Sequence, residues 1–171
     1  MKLTIELVPR TCFYTNVRSE VSRKTWDRLR KMSYIKADYA CEICRGVGPT
    51  HPVECHEIWE YDDKDKIQRL LGLISLCPRC HEVKHIGLAQ VKGNLDRATS
   101  HLAKINKVSY SYAHAQVRAA FDVWAQRSKH KWTLDISWLK SMLNDPKPKK
   151  LSTAEENRVA KKLFFDLYND K

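Results

Sequence analysis

The sequence predicts an α+β fold, and three features point to it. Two Cys-x2-Cys pairs, Cys41/Cys44 and Cys77/Cys80, bracket a stretch patterned like a β-hairpin. A short helix follows the second pair, and amphipathic helical repeats fill the C-terminal part of the 171 residues. Four regions are expected: a strand and basic helix over 1–40 packed on the core, a cysteine-stapled core over 41–93, a helical extension over 94–143, and a basic linker with a terminal helix over 144–171.

Each element has a local signal. Leu3, Ile5 and Leu7 alternate with polar residues, which reads as a short strand ended by Pro9. Ser22 is the expected N-cap of a helix from about Arg23 to Tyr39, with Trp26, Leu29 and Met32 as its buried stripe. Arg23, Lys24, Arg28, Arg30 and Lys31 crowd that helix, as a solvated face or as nucleic-acid contacts. Residues 41–50 form a knuckle with Gly46 and Gly48-Pro49. A strand is expected over 53–61, then an acidic solvated loop from Glu60 to Asp65. Leu70 to Leu76 reads as a second strand broken by Gly72, and Cys77-Pro78 opens a knuckle and a helix carrying His81 and His85.

Further on, Leu95, Ala98, Leu102 and Ile105 recur at helical spacing. Ala113, Val117, Ala120, Phe121 and Trp124 do the same over 111–128. Trp132, Leu134, Ile136 and Trp138 alternate as in a strand. Asn144 to Lys150 is a basic, proline-containing linker, and Ser152 with Glu155 makes a capping box for a last helix bearing Val159, Leu163 and Leu167.

The net charge of +11 favours a polyanionic partner, of which nucleic acid is the commonest. The excess is uneven: +5 over residues 1–40, −1 over 41–93 and +7 over 94–171. The flanks therefore supply the nonspecific attraction. No apolar run is long enough to span a bilayer, and Met1–Arg10 lacks the pattern of a secretory signal. A cytoplasmic protein without a membrane role is the expectation.

The two cysteine pairs are separated by 32 residues. Each pair wraps one edge of an ion, and together they complete a closed tetrahedron of thiolates. Such a zinc has no open position, so it is structural, and its binding supplies folding free energy on the order of 10 kcal/mol. Cys12 and Cys55 stand outside the pattern and read as buried thiols.

His81 and His85 lie at i and i+4 and share a helix face. Cys80 and His81 point about 100° apart, so Cys80 can serve the zinc while His81 faces another site. If the hairpin packs on the helix, His56 joins them. Three imidazoles with open positions suit a catalytic divalent metal.

The run Cys41-x2-Cys44, Cys55-His56-Glu57-Ile58 and Leu76-Cys77-Pro78-Arg79-Cys80-His81-x3-His85 resembles the HNH endonuclease family in its four-cysteine zinc form. The match covers about 41–86. It implies a ββα-metal core, two strands and a helix around one divalent ion, that hydrolyses a DNA phosphodiester. In the family pattern His56 falls on the position of a strand metal ligand and Glu57 on that of the general base. Gly72 falls where an asparagine is usual. His81 and His85 match the helix ligands. The base candidates are Glu57, His56 and His51, in that order.

The expected activity is metal-dependent DNA cleavage. Zinc would sit at Cys41, Cys44, Cys77 and Cys80, and a second ion (Mg²⁺, Mn²⁺, Ni²⁺ or Zn²⁺) at His56, His81 and His85. Imidazole ligands favour the transition metals. Arg79 and Lys84 would contact phosphates, and basic residues in 18–36 and 147–162 would add salt-sensitive affinity. The alternative is a catalytically degenerate module that binds nucleic acid or a protein partner. A double-strand cut by one small site would call for a homodimer, and 94–143 could dock the protein on a larger nucleic-acid machine.

Overall fold

The computed structural model describes residues 2–144, and it is mixed α and β. The linker beyond Asn144 and the terminal helix expected from Ser152 lie outside the described residues. The chain divides into two units, Met1–Trp138 and Leu139–Lys171. The account below concerns the first.

The N-terminal segment is extended but forms no strand, contrary to the alternating pattern of Leu3, Ile5 and Leu7. Its polar backbone is satisfied elsewhere. Leu3 exchanges backbone bonds with the Asn106 carboxamide at 2.9 and 2.8 Å, and Glu6 N donates to Lys84 O at 3.2 Å. The alternation is nonetheless real burial: Leu3 is 2% exposed, and Ile5 and Leu7 pack against the core. A 3-10 turn, Arg10–Cys12, leads to the one-turn helix α1, Val17–Glu20, closed by a reciprocal Asn16/Ser19 capping box.

Helix α2 spans Arg23–Lys36, with Ser22 Oγ accepting from Thr25 N at 3.1 Å. It stops short of Tyr39 because Asp38 and Tyr39 both adopt positive φ, 53° and 52°, which breaks the helix and turns the chain into the first knuckle. Leu29 is its buried centre, while Trp26 and Met32 are half-buried. Ser33 reaches the sheet through Ser75, Oγ to Oγ 2.8 Å.

Strands β1, Glu54–Asp62, and β2, Ile67–Leu76, form an antiparallel hairpin. The acidic stretch splits: Glu60 to Asp62 stay in the strand, and Asp63 to Lys66 make the turn. Gly72 does not break β2. The register instead slips between Ile58 and Trp59, opposite Gly72 and Leu70, which leaves Leu71 as a bulged, 48% exposed residue. The strand expected around Trp132–Trp138 is shorter, β3 over Thr133–Asp135, and pairs parallel to β2.

Helix α3, Pro78–Lys84, follows the hairpin, with proline at its first position, where the missing N–H costs nothing. Helices α4, Ile86–Val91, α5, Leu95–Asn106, and α6, Tyr110–Arg127, follow in turn. Ile74 and Leu76 of β2, Val83 of α3, Ile86 of α4, Ala98 and Leu102 of α5 and Val117 of α6 share one core. That core presses α3 onto the hairpin and so fixes the two site-bearing elements against each other. Among the described residues, no helix is long and apolar enough to cross a membrane.

Candidate metal centre

The two knuckles meet at one point. Arg45 takes a positive φ of 62°, and Cys41 and Gly46 close the turn, Cys41 N donating to Gly46 O at 3.0 Å. Gly46 N also donates to Cys44 Sγ at 3.4 Å. Gly48 permits the approach of the second knuckle: a Cβ there would lie 2.4 Å from His51 O and 2.7 Å from Pro78 Cδ. Glu42 latches the first knuckle to β2, its carboxylate accepting from Ser75 N at 2.7 Å.

Cys41, Cys44, Cys77 and Cys80 thereby bring four sulfurs within 4.8 Å of one another. Cys44 Sγ and Cys77 Sγ are 3.6 Å apart. A tetrahedral zinc with bonds of about 2.3 Å would hold its sulfurs about 3.8 Å apart, so the donor set suits a structural ion such as zinc. Sharing of protons within the cluster drives the Cys41 thiol far below its ordinary value, because Cys77 and Cys80 donate to it. His101, from α5, places Nε2 3.3 Å from Cys80 Sγ. Cys12 and Cys55 stay apart from the cluster, and burial pushes the Cys55 thiol up to about 12.

The second cluster lies on the neighbouring face of α3. His56 comes from β1 and is 6% exposed, His81 from α3, and His85 from the helix end. Ring centroids are 5.3 Å apart for His56 and His81, 4.9 Å for His56 and His85, and 4.6 Å for His81 and His85. One nitrogen from each ring lies within 4.8 Å of the others. His81 Nε2 and His85 Nε2 are 3.1 Å apart. With metal–nitrogen bonds of about 2.1 Å, that separation corresponds to an angle of about 95° at a shared ion.

Two carboxylates orient these rings. Glu54 shares a strand face with His56 and accepts from His81 Nδ1 and, at 2.7 Å, from His51 Nε2. Donation from Nδ1 leaves the lone pair of His81 on Nε2, the nitrogen that faces His85. Glu6 accepts from His56 Nε2 at 3.0 Å and from Lys84 Nζ. Burial raises the Glu6 pKa, but His56 and Lys84 more than offset it, and the group lies below its ordinary value. Burial drives His81 below the ordinary imidazole value despite Glu54. His85 is pushed down to about 3 by burial and by His81 and His56. Both rings are thus held neutral, the form that ligates metals.

Two expected residues are placed differently. Lys84 does not offer its ammonium to a phosphate: its side chain is 6% exposed, bound to Glu6 and to Thr4 Oγ1 at 2.7 Å. Glu57 points to the other face of β1 from His56, as alternation requires. Its oxygens accept from Val17 N at 3.0 Å and Trp59 Nε1 at 3.2 Å, so it anchors α1. Burial raises its pKa. Arg79 is 54% exposed on α3, with its Nη1 3.9 Å from Glu82 Oε2. His51 is half exposed and held by Glu54.

Sequence reasoning missed Glu6, Glu54 and His101. Glu54 had a signal, since it lies two residues before His56 on a strand. Glu6 and His101 reach the clusters from distant elements.

No family model, no curated protein and no solved structure matches the chain. The functional reading therefore rests on the two clusters themselves.

Proposed function

We propose that the protein is a metal-dependent DNA endonuclease with an HNH-like centre. The observation that supports it is the convergence of His56, His81 and His85 next to, and separate from, the four cysteines. In this reading zinc occupies Cys41, Cys44, Cys77 and Cys80 and staples the hairpin to α3. His81 and His85 hold a second divalent ion. That ion, when bound, neutralises charge developing on the scissile phosphate.

The remaining work falls to side chains. Glu54 fixes the tautomer and orientation of His81, as carboxylates do behind ligating histidines. Glu6 fixes the His56 ring. His56 then supplies either the third metal nitrogen or the proton acceptor for attacking water. It replaces Glu57 as the leading base candidate, since Glu57 is committed to Val17 and Trp59. Arg79 gives a phosphate contact from α3.

The test is plasmid nicking by the full chain with Mn²⁺, for the wild type, His81→Ala and His56→Ala. The reading requires metal-dependent nicking that His81→Ala abolishes. If His56→Ala keeps the second ion but loses nicking, His56 is the base; if it loses the ion, His56 is a ligand. Nicking that survives His81→Ala would refute the assignment.

A further inference from the structure

We infer that a cleft beside the imidazole cluster receives one unpaired nucleobase of a DNA strand, an inference that rests on the nuclease reading. The cleft has a volume of about 930 Å³, and its lining includes His56, His81 and His85 on one face of the hairpin together with Glu57, Trp59, Tyr61 and Gln68 on the other. That size falls within the usual range for small-ligand pockets. Trp59, Phe121 and Trp124 supply aromatic wall. Two of the lining residues, Tyr61 and Gln68, stand side by side as register partners across the hairpin.

Both of those groups lack a partner. Gln68 is 1% exposed, yet its Nε2 makes no hydrogen bond, and neither does the buried Tyr61 hydroxyl. A buried donor left unmade is costly; both atoms are sealed from the cleft, so the Gln68 amide and Tyr61 hydroxyl meet a ligand acceptor, and lose that cost, through a side-chain shift toward the cleft that accompanies binding. An aliphatic or phenyl side chain could fill the apolar wall but would offer no acceptor to Gln68 or Tyr61. A planar heterocycle with acceptors along its edge satisfies both, with its faces available for stacking on aromatic side chains. The +11 charge of the chain selects a polyanionic carrier for that ring. Bases in an intact duplex are stacked and paired, so the cleft selects a bulged, flapped or single-stranded nucleotide.

The experiment uses the full chain with its thiolate-bound zinc in place and no Mg²⁺ or Mn²⁺ added, so that cutting is withheld while the fold stays stapled. The probes are two duplexes of one sequence, with 2-aminopurine either in a one-nucleotide bulge or fully paired. The bulged probe should bind about tenfold more tightly, in keeping with the stacking of one base on aromatic side chains, and its fluorescence should be quenched. Gln68→Leu should bring the two affinities together without lowering Tm, because it removes the orphan amide and leaves no cavity. Tyr61→Phe should reduce the preference less. Equal affinity of the wild type for both probes would overturn the inference, and so would a preference that survives Gln68→Leu. Loss of Mn²⁺-dependent nicking with bulge preference intact would sink the nuclease reading and leave the base receptor standing.

Discussion

Replacing Glu6 by glutamine should destabilise the protein by about 3 kcal/mol, at the low end of the ~3–5 kcal/mol cost of breaking a buried ion pair. Glu6 joins the N-terminal segment to β1 and α3 through His56 and Lys84. The Lys84 side chain is 6% exposed and that of Glu6 18%. Glutamine keeps the shape and one acceptor oxygen, but it carries no charge to offset the buried Lys84 ammonium and its two termini cannot both accept, so Lys84 is left with neutral acceptors such as the Thr4 hydroxyl. That remaining bond, and the partial exposure of Glu6, place the effect at the low end. For a chain of this size the loss corresponds to a fall in Tm of roughly 6–12 °C.

The sign of the pH dependence is also fixed. Glu6 titrates below its ordinary 4.5 in the folded chain. Its contribution is therefore present above about pH 4.5 and lost as pH falls through the folded value. Calorimetry at pH 7 and pH 4 compares wild type with Glu6→Gln and with Glu6→Gln/Lys84→Met. The double variant should recover most of the loss, because replacing both partners of a buried pair by uncharged groups is often neutral. A Glu6→Gln Tm within 2 °C of wild type, or a double variant no better than the single, would refute the reasoning.

Three further outcomes are expected. Leu102→Ala should cost about 2–5 kcal/mol in urea denaturation, since Leu102 is 1% exposed at the meeting of α5 with the shared core. A strong chelator should lower Tm and release four fast-reacting thiols from Cys41, Cys44, Cys77 and Cys80, leaving Cys12 and Cys55 slow; a thiol titration showing no change in the number released would contradict this. Without metal, stability should fall as pH drops from about 6.5 toward 3, because His85 protonates at about 6.5 unfolded but only near 3 folded, and His81 shifts the same way. Melting curves of His81→Gln/His85→Gln should show a flatter acid arm over that interval.

Much of the centre was legible because its chemistry is local. The Cys-x2-Cys pairs, the i, i+4 histidines and the helix cap at Ser22 are each written within a few residues, and the structure keeps them. The hairpin was legible from alternation, but its bulge at Leu71 was not, because register depends on the partner strand. The first strand failed for a related reason. Leu3, Ile5 and Leu7 do bury, yet their neighbours are the Asn106 side chain and the end of α3, and alternation does not say what lies alongside.

Lys84 failed through long-range pairing. A lysine beside ligating histidines reads as a phosphate contact until Glu6, 78 residues away, buries it. The same carboxylate holds His56, so one of the two carboxylates that orient the imidazole cluster is one that local sequence could not reveal. Glu57 failed through geometry that was available: adjacent strand residues face opposite sides, and the slip between Ile58 and Trp59 comes too late to turn it.

The central claim is that the three imidazoles form an ion site distinct from the four thiolates. The most direct test is metal content of the full chain after equilibration with Zn²⁺ and Mn²⁺, read by elemental analysis for wild type and His81→Ala/His85→Ala. The account predicts two ions per wild-type chain and one, the thiolate-bound zinc, in the variant. A single ion in both proteins would contradict it.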